Sequence, residues 1–299
     1  QPIRSVPVPE VKNTEWCKTP IDRFILAKQE AAGLRPNAKA DKRTLIRRAT
    51  FDQLGLPASP DEVEAFLADN SPEAWANVVE RLLESEHYGE RWARHWMDVA
   101  RFAESHGYEQ DYDRPHAYHY RDFLIKAFNH DLPFDQFVQW QLAGDELAPE
   151  NPLALMATGF LGAGAFPTQL TEAEFESARY DELDDIVTTT GVAFLGLSIG
   201  CARCHDHKFD PIPSRDYYRM AATFTTAIRS EIDLDLQPEE NRQRKLAWEA
   251  KHAEIQNQLS QFEQNQVPQT FAKWIANYDP KTSQSPWESL RVVEIQSTG

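Results

Sequence analysis

The stretch Ser59-Pro60-Asp61-Glu62-Val63-Glu64-Ala65-Phe66-Leu67-Ala68 spells out a helix start. Serine at the cap accepts from a first-turn amide, proline at the first helical position has no amide to leave unpaired, and Glu62 closes a capping box. The same grammar recurs at Thr19-Pro20 with Asp22, at Ser71-Pro72 and at Asn151-Pro152. Gly33 and Gly55 fall where helix ends belong. Ile21, Phe24, Ile25 and Ala32 form one apolar stripe, and Leu45, Ile46 and Ala49 another. The spacing predicts further helices over 60–69, 72–84, 87–105, 117–130, 134–143, 152–163, 173–200 and 215–228. No alternating strand precedes residue 285, so the expected fold class is all-α.

At 299 residues and 41% hydrophobic, with eight tryptophans and sixteen phenylalanines, the chain can bury one large core or two modest ones. The net charge of -16 is uneven, because residues 1–50 hold eleven Lys/Arg against five Asp/Glu, which leaves -22 on the rest. That balance disfavours nucleic acid as a partner and suits a cationic protein or a neutral substrate. No apolar run is long enough to cross a bilayer, so no transmembrane segment is expected. No signal peptide is visible.

Residues 1–18 read as an irregular, proline-rich N-terminal arm and 19–235 as the main helical domain. Residues 236–280 read as a long helical arm or spacer, with Leu246, Ile255, Leu259 and Phe262 as a thin apolar stripe and Pro268 as its stop. Residues 281–299 read as a linker and, from Trp287 to Ile295, the first strand of a following β-rich region. A lone strand cannot stand by itself, so the chain is expected to be a piece of a longer protein.

The chemistry is concentrated in Cys201-Ala202-Arg203-Cys204-His205, followed by Asp206-His207-Lys208-Phe209-Asp210-Pro211. This is C-x-x-C-H, the attachment signature of a c-type haem: Cys201 and Cys204 add to the two vinyl groups and His205 ligates the iron as the proximal ligand. One covalently attached haem c is therefore the expected cofactor. His207 is too close along the chain to reach the other face of the iron and reads as a supporting or propionate-binding group. Asp206, Lys208 and Asp210 would order the loop. The rival readings are a zinc site from Cys201, Cys204 and His205 or His207, and a redox dithiol. Cys17 is left over, a buried or free thiol.

Six of the nine histidines lie between positions 87 and 130, among Trp92, Trp96, Tyr108, Tyr112, Tyr118 and Tyr120. A haem needs aromatic walls, arginine partners and often a second axial ligand. His95, between Trp92 and Trp96, is the first candidate for that ligand, with His87, His106, His116, His119 and Met220 as alternatives. Asp98 and Arg101 are the candidate acid–base groups should the distal site be open. Asp181, Glu182, Asp184 and Asp185 read as carboxylates near a helix N-terminus, where the dipole favours them. Thr188 to Gly191, Gly196 and Gly200 read as small residues that a flat porphyrin could approach.

The chain also resembles a known family. The resemblance is carried by Pro20-Ile21-Asp22-Arg23-Phe24-Ile25, His87-Tyr88-Gly89-Glu90-Arg91-Trp92 and Arg94-His95-Trp96-Met97-Asp98. It continues through Ala100-Arg101-Phe102-Ala103-Glu104-Ser105, Gly107-Tyr108-Glu109, Tyr120-Arg121-Asp122, Leu142-Ala143-Gly144-Asp145, Asp181-Glu182-Leu183-Asp184-Asp185 and the run from Gly200 to Pro213. These motifs, over about residues 19–230, are similar to those of the planctomycete-type cytochrome c domain family, the second such type in large secreted multidomain proteins. The resemblance implies a periplasmic or secreted c-type haem protein whose parent continues into a β-rich region.

The expected function is electron transfer linked to substrate oxidation by a redox partner protein or neighbouring domain, with a carbohydrate-related substrate as one option. The alternatives are a haem oxidoreductase or peroxidase with an open distal site, and a structural zinc-binding module associated with carbohydrate processing.

Overall fold

Side-chain caps set several of the helix starts in the computed structural model, which describes residues 4–108 and 110–278. The irregular arm, broken by a 3-10 turn at Thr14–Trp16, leads into α1 (Pro20–Ala31), α2 (Lys42–Leu54), α3 (Pro60–Ala68) and α4 (Ala74–Leu83). Next come α5 (Glu86–Val99), α6 (Tyr118–Asn129), α7 (Phe134–Leu147), α8 (Pro152–Ala157), α9 (Gly159–Gly162) and α10 (Phe175–Thr190). A π-helical turn (Gly191–Leu195) and a 3-10 turn (Ile199–Arg203) precede α11 (Ser214–Thr223). The last elements are α12 (Pro238–Gln261), a π-helical turn (Phe262–Gln266) and α13 (Val267–Asn277). No strand occurs among the described residues, so the fold is all-α. The expected strand at Trp287–Ile295, with the β-rich region it would open, lies outside them, as does Glu109.

The caps work as the local sequence dictates. The Asp22 carboxylate accepts from the Thr19 amide at 2.7 Å, and Glu62 from the Ser59 amide at 2.7 Å. Asn151 accepts from the Leu153 amide at 2.9 Å. Ser71-Pro72 departs from the rule: the Ser71 carbonyl accepts from the Ala74 amide in a turn, and α4 begins only there. The entry arm is tied to α1 by the Lys12 amide, which donates to Glu30 at 3.0 Å.

Residues 1–231 form one compact unit, held by apolar clusters. Ile46, Phe66, Ala74, Val78 and Leu82 join α2, α3 and α4. Phe123, Phe137 and Phe160 are buried with the α5 and α6 interface, and Trp96 packs on both Phe137 and Phe194. Gln141 is fully buried there, and its side-chain oxygen accepts from Trp96 at 2.9 Å and from Tyr120 at 2.7 Å. The third cluster joins Leu183, Ile186 and Val187 of α10 to Ile199, Ala202, Tyr217 and Phe224. Each large apolar side chain so buried is worth about 1.5–3 kcal/mol, which is why these faces dominate the fold.

Several helix ends differ from the expected ones, for identifiable reasons. The helix expected over 87–105 stops at Val99, because Arg101 turns left-handed (φ 52) and the Phe102 amide returns to the Met97 carbonyl at 2.9 Å. That is a Schellman closure with arginine where glycine is usual. The helix expected over 173–200 ends at Thr190, passes through the π turn and stops at Gly196 (φ 64). The one expected over 215–228 ends at Thr223, and that over 152–163 divides into α8 and α9.

The second unit begins at Ile232. Pro268 does not stop the arm there: it occupies the second position of α13, where a missing amide leaves no helical bond unmade. Leu246, Ile255, Leu259 and Phe262 are exposed along it.

Candidate functional site

Cys201 to Arg203 of the C-x-x-C-H segment lie on the 3-10 turn, Cys204 caps it and His205 follows, and that geometry sorts the side chains. Residues three apart eclipse one another in a 3-10 helix. Ile199 and Ala202 form the inward row, at 6% and 0% exposure, and pack on Leu183, Ile186 and Val187. Cys201 and Cys204 form the next row, and both are exposed free thiols. The spacing that names the motif thus places its two thiols on one face.

The turn can lie this close to α10 because two of its neighbours lack a side chain. A Cβ on Gly200 would stand 2.4 Å from the Thr188 hydroxyl, and one on Gly191 would meet Ile199 at 2.9 Å. The glycines expected to admit a porphyrin are therefore occupied by the protein itself; Gly196 alone of the three faces open space.

The carboxylates of α10 hold the turn in place. They lie in the middle of the helix rather than at its N-terminus, and each has an arginine. Arg203, between the two thiols, donates to Asp181 at 2.8 Å and pairs with Asp184 at 3.0 Å. Tyr217 of α11 donates to the same Asp184 at 2.5 Å, and burial together with that bond raises the phenol above its ordinary range. The Tyr218 hydroxyl donates to the Arg203 carbonyl at 3.0 Å. Glu182 pairs with Arg179 and Arg229, and Asp185 with Arg101.

His205 is exposed, and its Nδ1 lies 2.9 Å from the Asp206 carbonyl oxygen. A carbonyl can only accept, so Nδ1 carries the proton and Nε2 is bare, the form in which imidazole ligates a metal. His207 is different: its ring is almost buried and both nitrogens are used. Nδ1 accepts from the Asp210 amide at 2.8 Å, so Nε2 donates to the Ser198 hydroxyl at 3.0 Å. His207 staples the loop after the motif to the residue before the turn, as a supporting group.

Exposed apolar side chains flank the motif along the chain: Val192, Leu195, Leu197 and Phe209, the last 83% exposed. Two thiols in one row, an imidazole with a bare nitrogen and uncovered apolar surface are the donor set a covalently attached haem requires. Among the described residues no group of three or more His, Cys, Asp or Glu could hold a metal ion, which gives the zinc reading no ligand set.

The other sequence-derived candidates are placed elsewhere. His95 is not enclosed between Trp92 and Trp96: it is exposed on α5, with Trp92 at its edge (5.5 Å between ring centroids), while Trp96 one residue on turns inward. The 3-10 turn packs on α10, α11 and the π turn, whereas α5 packs mainly on α2 and α6 and touches the π turn through Trp96. Met220 lies on α11, half-buried against the cluster that contains Ala202. His87 pairs with Glu90 at 2.9 Å, which raises its pKa. His106 is half-buried and accepts from Arg114 at 3.4 Å; burial, then the charges of Arg114 and Arg229, lower its pKa. His116 and His119 stack with centroids 6.4 Å apart, and His130 is exposed.

Asp98 lies on the rim of an open cleft of about 410 Å³ between α5 and α6, together with Arg94, Met97 and Arg121. Arg101 is no free acid–base group: its guanidinium donates to Asp185 at 2.9 Å and to the Phe160 carbonyl at 2.8 Å. Arg114 works likewise on the Ala163 and Gly164 carbonyls, and burial beside Arg229 and Arg101 pushes its pKa down to about 10. Cys17 is half-buried near the Asn13 carbonyl.

Sequence reasoning missed Arg203, Ser198 and Tyr217 as members of the site. The regular carboxylates at 181, 182, 184 and 185, too many for one helix face to leave unpaired, were the signal for the first.

The sequence model of the family PSCyt2, described as a protein of unknown function (DUF1549), matches residues 20–229. No curated protein and no solved structure matches the chain.

Proposed function

The chain belongs to the PSCyt2 family, and we propose that it is a c-type cytochrome domain that transfers single electrons outside the cytoplasm. Cys201 and Cys204 would hold one haem through thioether bonds, and His205 would ligate its iron through Nε2. The bound haem supplies one-electron redox chemistry. The observation that carries this reading is the His205 ring, whose Nδ1 donates to the Asp206 carbonyl at 2.9 Å and so leaves Nε2 bare, in a motif whose two thiols are both exposed.

The rest of the site keeps that arrangement rigid. Ala202 anchors the turn in the core, Arg203 locks it to Asp181 and Asp184, and His207 closes the loop behind it. Exposed His95 on α5, or Met220 on the helix packed against the turn, would complete the iron's ligand set. Electrons come from a redox partner or neighbouring domain, and the strongly acidic body favours a cationic docking face.

Visible spectroscopy of protein produced in a host that attaches c-type haem tests the reading. A sharp reduced α-band, unchanged by carbon monoxide, is expected of a six-coordinate electron-transfer centre. A shift with carbon monoxide would replace electron transfer by catalysis at an open iron. Absence of any Soret band would overturn the haem itself. Loss of the low-spin spectrum in His95→Ala or in Met220→Ala identifies the second ligand.

A further inference from the structure

We propose that Asp206 is the positioning residue that keeps His205 ready to ligate, by tying its ring to the N-terminus of α11. The role deepens the haem reading above, yet it rests on contacts within this chain alone.

Helix α11 begins at Ser214, and its cap position is Pro213, which has no side-chain acceptor to offer the first amides. The acceptor comes instead from eight residues earlier: the Asp206 carboxylate takes the Ser214 amide at 2.8 Å. A carboxylate at the positive end of a helix is held there by the dipole as well as by the bond. The main-chain oxygen of this same residue takes the proton of His205 Nδ1 at 2.9 Å. One residue therefore grips the helix with its side chain and the imidazole with its backbone.

Little else fixes the ring, because His205 is exposed. On the far side of Asp206 the chain is fixed again, since the His207 amide donates to the Ile212 carbonyl at 2.9 Å and its ring is bonded to Ser198. The Asp206 carbonyl is thus clamped between two anchored points and aimed at Nδ1. A ligating histidine whose other nitrogen donates to a fixed acceptor is more basic and better oriented, which favours the oxidised metal.

Three variants test this. Asp206→Ala removes the acceptor. Asp206→Asn keeps a cap-competent oxygen. Ser214→Pro removes the donor amide instead, at a first helical position that tolerates proline after a residue already extended (Pro213 φ -73, ψ 152). In the haem-free full chain at alkaline pH, nitrogen NMR of the His205 ring should show Nδ1–H in the wild type and in Asp206→Asn. The Asp206→Ala and Ser214→Pro chains should shift towards Nε2–H. In the haem-loaded protein, these two variants should keep covalent haem but show a higher midpoint potential, while Asp206→Asn stays at the wild-type value. An unchanged ring state in both Asp206→Ala and Ser214→Pro overturns the proposal. A wild type that never takes up haem, yet shows the stated ring response, removes the cytochrome reading and leaves the positioning role standing.

Discussion

The guanidinium of Arg203 stands 3.0 Å from the carboxylate of Asp184, joining the middle of the C-x-x-C-H turn to the third turn of α10. Asp184 also takes the Tyr217 hydroxyl at 2.5 Å, so one carboxylate unites the turn, α10 and α11. Replacing Arg203 with alanine leaves that half-buried carboxylate with one partner fewer, and the loss should be about 1–2 kcal/mol. Chemical denaturation of the haem-free chain measures it. Arg203→Lys should recover only part, because lysine cannot reach both Asp181 and Asp184 with a rigid fork.

Gly200→Ala places a methyl group 2.4 Å from the Thr188 hydroxyl and should lift the turn off α10. The expected destabilisation is about 1–3 kcal/mol, as for other overpacked sites. Adding Thr188→Ala removes the obstructing atoms, and the double variant should regain most of the loss. A double-mutant cycle with no coupling would place the contact elsewhere.

Arg101 adopts a left-handed conformation (φ 52) that glycine would occupy without strain. Arg101→Gly relieves that strain, worth about 1–2 kcal/mol, and yet should destabilise the fold. The guanidinium bonds to Asp185 and to the Phe160 carbonyl outweigh it. A more stable Arg101→Gly protein, by thermal or chemical denaturation, would show that these bonds contribute nothing.

How far the fold could be read beforehand follows from the range of the forces. Ser59 with Glu62 and Thr19 with Asp22 are local pairs, and their helices start where the residues say. The end of α5 could not be read at Arg101, because the reason for it, Asp185, lies far along the chain. The acidic run on α10 looked like a dipole effect because its arginines, at 101, 179, 203 and 229, are mostly distant in sequence. His95 looked enclosed because two tryptophans flank it, but Trp92 and Trp96 are four apart and share the half-buried face of α5, while His95 lies about 100° round from Trp96 and is exposed. The C-x-x-C-H spacing was legible, since i and i+3 on a tight turn share a face whatever surrounds them.

Two histidines should shape the pH dependence of stability in opposite senses. His106 has a lowered pKa in the fold, so the unfolded chain binds its proton first. Its contribution is therefore present above the ordinary imidazole range and is lost as pH falls through that range towards the lower folded value. His87 has a raised pKa through Glu90, so its contribution is full below that range and is lost as pH rises through the folded value. In a series of melting temperatures, His106→Gln should flatten the acid-side decline and His87→Gln should steepen it.

The central claim is that Cys201 and Cys204 carry one haem. Mass spectrometry of the unfolded protein, made in a host with c-type haem attachment, is its most direct measurement. The predicted result is a chain heavier by the mass of one haem, with the adduct on a peptide containing both cysteines and absent when both are replaced by alanine. A wild-type chain of unmodified mass, with both thiols free to alkylating reagent, would contradict it.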